Sequence, residues 1–157
     1  MRDFPIFTTE YGVSSLILKE IPYKKEAYIR IRDVQEDFFQ EHLHECASFC
    51  RMAGADRVLA TGHEKLEGYP RYVTMYEMRA TAWVDKAKLA NLFPVTEQTV
   101  SRWRGICNER MRNVPCAATQ TSKEEADILK GDAYFVHRNG ELLGIGWIRD
   151  SSMPLSS

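Results

Sequence analysis

Two short runs rich in apolar residues near the start of the chain predict two strands. The first strand is predicted over residues 14–21 and the second over residues 26–32. Pro22 and the following polar residues separate them, as is typical of a turn. We therefore expect a turn to join the first two strands.

The spacing then changes to a helical one. Apolar residues recur every three or four positions over residues 35–53, with Asp33 as the expected N-cap and Gly54 as the expected stop. A short apolar run over residues 57–61 follows and predicts a buried strand. Strand, helix and strand with short links form a βαβ unit, whose two strands should be parallel.

The middle of the chain predicts shorter elements. Gly68 and Pro70 interrupt the connector after the βαβ unit, so a turn is expected there. We expect a strand over residues 71–79 and helices over residues 86–93, 96–114 and 124–130. Ser122 with Glu125 is the expected capping box of the last helix, and Gly131 is its expected stop.

The segment 132–150 carries the clearest local signal, which is Asn139-Gly140 between two apolar runs. This dipeptide favours a type I′ turn, because both central residues of that turn need a positive φ. A two-residue loop followed by unbroken pairing predicts the cross-strand neighbours: Val136 with Leu143, Tyr134 with Ile145, Phe135 with Gly144, and Ala133 with Gly146. Gly144 and Gly146 would then leave one face of the hairpin with little side-chain volume.

These elements predict an α/β (α+β) protein that combines a mixed sheet, a βαβ unit and a C-terminal β-hairpin. A chain of 157 residues with a net charge of −1 can bury a core, and it carries no overall charge that would attract nucleic acid. No apolar run is long enough for a membrane span, and no signal-peptide core follows Met1, so we expect a cytoplasmic protein and no membrane partner.

The first candidate functional site is a metal site, because His42, Cys46 and Cys50 share one helical face. The outer two are separated by two helical turns, roughly 12 Å, which is too far for one ion with bonds near 2 Å. Cysteines on an apolar stripe behave as small hydrophobic residues. We expect no metal ligand, and reduced thiols rather than disulfides.

The second half resembles the N-terminal half of the GNAT N-acetyltransferases. Helices lead into a hairpin ending in Glu141-Leu-Leu-Gly-Ile-Gly-Trp-Ile-Arg149, close to the family pattern v-x-x-x-G-e-l-v-G. Residues 26–79 resemble the other half of that fold. The order is that of a tandem protein with shortened domains: residues 1–84 resemble a C-terminal half, residues 85–150 an N-terminal half, and residues 151–157 form a polar tail.

The resemblance implies acetyl transfer from acetyl-CoA to an amine of a small molecule or a peptide. Family members hold the pyrophosphate on a glycine-containing loop that opens the helix after the central strand. Here that position reads Asp33-Val34-Gln35-Glu36-Asp37, which has three carboxylates and no glycine. Carboxylates at a helix start repel phosphate. No residue is therefore carried over as a catalytic or a cofactor-binding residue.

Residues 86–112 offer a different interpretation, which is a helix-turn-helix. Ala90, Val95 and Val100 match its small and apolar positions, and the arginines after Thr99 would face DNA. Pro94 stands where that motif usually has a positive-φ glycine, a conformation proline cannot adopt. The near-neutral net charge also fails to favour nucleic acid as a partner.

A third interpretation is a non-catalytic interaction module. The second strand of the hairpin, residues 141–149, has an edge that could pair with a partner or with a second copy of the chain. Such pairing would give a homodimer.

Overall fold

The computed structural model describes residues 5–76 and 90–148 of the chain. The chain divides into two compact units. Unit 1 comprises Met1–Tyr76 and Asn113–Ala118, and unit 2 comprises Glu77–Arg112 and Thr119–Ser157. Each unit contains its own sheet and its own buried cluster.

Unit 1 is built on a mixed four-stranded sheet. Its strands are β1 (Ile6–Thr8), β2 (Gly12–Ile17), β3 (Glu26–Val34) and β4 (Arg57–Thr61), in the order β1-β2-β3-β4. The first three are antiparallel, whereas β3 and β4 are parallel. Helix α1 (Ile21–Lys24) joins β2 to β3, and helix α2 (Phe39–Met52) joins β3 to β4. The predicted mixed sheet with a parallel βαβ unit is confirmed.

The core of unit 1 lies between α2 and the sheet. Ala27, Ile29 and Ile31 alternate along β3 and are buried, as period-two alternation requires when one face of a strand is covered. Buried residues of α2 at helical spacing meet them: Phe39, Cys46 and Cys50. The cysteines therefore act as core residues, as predicted.

Unit 2 is a three-stranded antiparallel sheet with helices packed against it. The strands are β5 (Asn91–Pro94), β6 (Asp132–Arg138) and β7 (Glu141–Ile148), in the order β5-β6-β7. Helices α3 (Val100–Met111) and α4 (Glu125–Lys130) precede the β6–β7 hairpin. The buried cluster contains Trp103 of α3 and Phe135 of β6, and the Trp103 Nε1–H donates to the carbonyl oxygen of Tyr134 at 3.0 Å.

The hairpin turn is as predicted, but its register is not. Asn139 and Gly140 have φ of 52° and 80°, and Arg138 faces Glu141. A bulge follows, because His137 pairs with Leu142 and Val136 pairs with Gly144. Beyond that point every partner is shifted by one residue from the prediction: Tyr134 faces Gly146, Phe135 faces Ile145, and Ala133 faces Trp147.

The bulge exchanges the two faces of β7. Ile145 and Trp147 lie on the same side as Phe135 and contribute to the buried cluster. Gly144 and Gly146 share the opposite side with Tyr134 and Val136. The predicted pairing of Phe135 with Gly144 is therefore wrong, since an extra residue in one strand moves every later side chain to the other face.

Helices α2, α3 and α4 all begin later than predicted, and α3 begins at Val100 instead of residue 96. Helix α2 begins at Phe39, not at residue 35, after a 3-10 turn at Glu36–Phe38. Asp33 is not an N-cap, because β3 continues to Val34. The capping box before α4 is formed by Thr121 and Glu124, one residue earlier than predicted.

Two predicted elements are wrong in the part of the chain that the structure describes. Residues 71–76 form no strand, and residues 77–79 lie outside the described ranges. Residues 91–94 form β5 instead of the end of a helix, and residues 86–89 lie outside the described ranges. Strand β5 therefore replaces part of the first helix that the helix-turn-helix interpretation requires.

No helix within residues 5–76 and 90–148 is both long and apolar enough to cross a bilayer.

Gly62 ends β4 in a conformation that other residues rarely adopt. Its φ is +97°, and a Cβ at this position would lie 2.7 Å from the carbonyl oxygen of Ile31. We expect Gly62→Ala to lower the free energy of unfolding by about 1–3 kcal/mol, because it adds backbone strain and a close contact. Urea denaturation followed by circular dichroism measures the change.

Gly68→Ala is the matched control, because a Cβ at residue 68 would have no atom within 4 Å. Its unfolding midpoint should stay within experimental error of the parent chain. Equal destabilisation by both substitutions would contradict the role assigned to Gly62.

Candidate functional site

The carboxyl end of the parallel pair β3–β4 is the first place to look for a site, because ligands of open α/β sheets bind outside the carboxyl ends of the strands. The ladder between these strands runs from the pair Glu26–Arg57 to the pair Arg30–Thr61. Strand β3 then continues to Val34, paired on its other side with β2. Residues 31–34 thus extend past the last described pair with β4.

A charged cluster lies just beyond this extension. The Nε2 of His63 is 3.1 Å from Glu36 Oε1, and the Nζ of Lys65 is 2.8 Å from Glu36 Oε2. Lys65 Nζ also donates to the main-chain carbonyl of Glu36. One carboxylate at the start of the 3-10 turn is thereby held by two side chains from the segment that follows β4.

The orientation of His63 follows from its hydrogen bonds. Its Nδ1 accepts from the main-chain N–H of Lys65 at 3.2 Å, so the neutral ring carries its proton on Nε2 and donates to Glu36. The ring also packs on Phe39 with centroids 4.7 Å apart. Both ring nitrogens are engaged, so His63 has no lone pair free to accept a substrate proton in this arrangement.

Electrostatics hold Glu36 in its charged form. The hydrogen bond from Lys65, followed by that from His63, lowers the pKa of this carboxyl. The Glu36 side chain is 61% exposed, which limits the strength of each contact through solvent screening. An anionic ligand at this position would have to compete with an internal carboxylate.

A second polar group is buried in the core of unit 1. His42 lies on α2, with Thr9 Oγ1 2.8 Å from its Nδ1 and Ser14 Oγ 2.7 Å from its Nε2. Cys46 Sγ is 3.7 Å from the same Nε2. A serine beside a histidine can be a nucleophile and its base, but Ser14 and His42 are both fully buried. The pair therefore satisfies polar groups inside the core.

The amino end of the parallel pair carries a third cluster. The Tyr28 hydroxyl donates to Glu26 Oε2 at 2.8 Å, and Arg57 Nη1 donates to Glu26 Oε1 at 2.9 Å. Arg57 also donates to the Tyr72 hydroxyl at 2.9 Å. Burial and the bond to Glu26 raise the pKa of Tyr28 well above its usual value. Glu26 of β3, which accepts from both Tyr28 and Arg57, therefore ties β3 to the start of β4 through Arg57.

The cysteines and histidines weighed as metal ligands do not form a site. Burial raises the pKa of Cys50 to about 11 and also raises that of Cys46, so both thiols stay protonated. Among residues 5–76 and 90–148, no group of three or more His, Cys, Asp or Glu side chains is arranged to hold a metal ion.

The arginines of the helix-turn-helix interpretation lie on α3 of unit 2 or just after it. Arg104 Nε forms an ion pair with Glu125 Oε1 at 3.1 Å, which links α3 to α4. Val100 and Trp103 of the same helix are buried against the sheet. Helix α3 is therefore a packing helix of unit 2, and only its outer face carries exposed arginines.

Comparison with known proteins does not identify a family for this chain. No family model, no curated protein and no solved structure matches this chain.

Sequence reasoning found one member of the charged cluster and missed two. Glu36 was singled out as part of an acidic helix start. His63 and Lys65 were only part of a connector, and their contacts with Glu36 span 27 and 29 residues. The connector gives no clear charge signal, because Lys65 lies between Glu64 and Glu67.

The buried His42 predicts a pH-dependent stability. Burial lowers its pKa below the ordinary 6.5. The folded ring therefore stays neutral while the unfolded chain takes up a proton below about pH 6.5, so this stability is present above that pH and is lost as the pH falls towards the folded pKa. The free energy of unfolding should fall between about pH 7.5 and pH 5.5 by equilibrium denaturation.

His42→Gln should flatten this pH dependence, whatever its effect on stability at neutral pH. His44→Gln is the matched control, because His44 is an exposed residue of the same helix. An unchanged pH slope in His42→Gln, or a slope lost in His44→Gln, would show that another group is responsible.

Proposed function

We propose that the protein is a GNAT-like acyltransferase that binds acetyl-CoA at the carboxyl end of β3 and β4 and acylates a small-molecule or peptide amine. Two features support this proposal. The order of elements in unit 1, an antiparallel run into a parallel βαβ pair, agrees with the resemblance. The order in unit 2, two helices leading into a hairpin, agrees with its other half.

The observation that carries the proposal is the extension of β3 past its partner. The β3–β4 ladder stops at Arg30 and Thr61, whereas β3 stays extended and paired to β2 as far as Val34. Gly62 still lies against the main chain of Ile31, and beyond that point the extended main chain of residues 32–34 can offer N–H groups to a ligand carbonyl. Donors fixed in this way can polarise an acyl carbonyl at little reorganisation cost.

The residues near the expected phosphate position would offer positive charge to a CoA phosphate only if Glu36 were displaced. Lys65 is the cation in reach and the His63 ring is a hydrogen-bond donor, and both are held by Glu36. Lys65 is a point charge of the kind that commonly binds phosphate. We therefore expect Glu36 to compete with the phosphates, so that affinity for acetyl-CoA is low in the parent chain.

Acetyl-CoA would supply the activated acyl group, and the chain would supply orientation and charge. Residues 32–34 would orient the carbonyl, and Lys65 would hold a phosphate. A direct attack by the amine also needs a group that accepts its proton. His63 cannot accept this proton, since both of its ring nitrogens are engaged. Ser14 and His42 cannot reach the amine, since both are buried.

The test is calorimetric titration of the full chain with acetyl-CoA. We expect saturable binding by the parent chain and binding about two- to fivefold tighter by Glu36→Gln, because the substitution removes one carboxylate from the helix start and frees Lys65. Duplex DNA of mixed sequence serves as a second ligand and should give no heat.

Glu64→Gln is the matched control for charge, because Glu64 is an exposed acid on the segment that carries Lys65. Its affinity for acetyl-CoA should equal that of the parent chain. Absence of binding by a folded parent chain and by folded Glu36→Gln would refute the proposal. Heat with DNA alone would favour nucleic-acid binding instead.

A further inference from the structure

The outer strands of the two described sheets differ in how well they resist pairing with another chain. Natural edge strands are protected by shortness, by charge or by proline. Strand β1 has three residues, β4 has five and begins with Arg57, and β5 has four and ends with Pro94. Strand β7 has eight residues and is the longest of the four.

Apart from the bulge at Leu143, strand β7 also lacks the other protections. From Leu142 to Ile148 it contains no charged residue and no proline. Leu143 and Ile148 are 49% and 65% exposed. An exposed, uncharged and apolar edge of this length is the kind that pairs with another strand.

The sequence of β7 is close to a palindrome in side-chain size. Around Ile145, the flanking pairs are Gly144 with Gly146, Leu143 with Trp147, and Leu142 with Ile148. An antiparallel pair related by a two-fold axis at Ile145 would place each residue from Leu143 to Trp147 opposite the other member of its pair. The bulge at Leu143 ends the regular register before the Leu142–Ile148 pair. Small residues would face small ones, and large residues would face large ones.

We propose that β7 is a homodimer interface, which pairs antiparallel with the β7 of a second copy in the register centred on Ile145. The partner is a second copy because β7 is complementary to itself, and a two-fold interface requires the same patch on both chains. The joined sheet would have the order β5-β6-β7-β7-β6-β5. Growth would stop there, because each new outer edge is the short β5 with Pro94.

The two glycines allow this interface to be tested without disturbing the fold of the monomer. A Cβ at Gly144 or at Gly146 would have no atom within 4 Å, and neither residue has a positive φ. Both lie on the side of the sheet opposite to Ile145 and Trp147, which contribute to the buried cluster. In the proposed register Gly144 of each copy faces Gly146 of the other, so charges placed there would meet directly.

The experiment compares two double substitutions by sedimentation velocity over a range of concentrations. Gly144→Lys with Gly146→Lys places like charges opposite each other twice, and should weaken the dimer roughly tenfold or more. Gly144→Lys with Gly146→Glu places opposite charges there twice, and should keep the dimer. The parent chain should show twice the monomer mass.

Three other outcomes would overturn the inference. A parent chain that is monomeric at high concentration has no such interface. Loss of the dimer in both double variants would show that side-chain volume and not charge disrupts it, which the proposed register does not allow. Retention of the dimer by the Lys/Lys variant would place the interface elsewhere. Circular dichroism spectra and melting curves of both variants confirm that they are folded.

Discussion

The pairing of β3 on both sides is the constraint on which unit 1 depends. Strand β3 is antiparallel to β2 and parallel to β4, and α2 must therefore return the chain across the sheet to make the parallel connection. The alternating residues Ala27, Ile29 and Ile31 are buried because α2 covers one face. The same pairing decides where the candidate site lies, since β4 ends at Thr61 while β3 continues to Val34.

The charged cluster at that end follows from the same geometry. A parallel connection brings the two segments that follow β3 and β4 to one edge of the sheet. Glu36 follows β3, and His63 and Lys65 follow β4, so their contacts arise although they are distant in sequence. The Glu36 carboxylate forms an ion pair with Lys65, the cation that a phosphate would need. On this account, the affinity of the site for an anionic ligand is set by the competition between Glu36 and that ligand.

Sequence patterns predicted the elements with strong local signals and missed those that depend on a partner. The Asn139-Gly140 turn and the βαβ unit were predicted, because turn chemistry and helical periodicity act within a few residues. The bulge at Leu143 leaves no mark in the alternation, so the register was wrong by one residue. Residues 71–76 have a strand-like composition but form no described ladder, and β5 is too short to show a period. Within the charged cluster, only Glu36 could be singled out from its position in the sequence. The contacts of His63 and Lys65 with Glu36 form only when the chain folds.

The most direct test of the central claim is the change in backbone amide chemical shifts of the full chain on addition of acetyl-CoA. Binding at the end of β3 predicts the largest shifts at the amides of residues 32–34 and at Lys65, growing in proportion to occupancy. Shifts confined to other parts of the chain, or none at saturating acetyl-CoA, would contradict the assignment of this edge of the sheet as the acyl-CoA site.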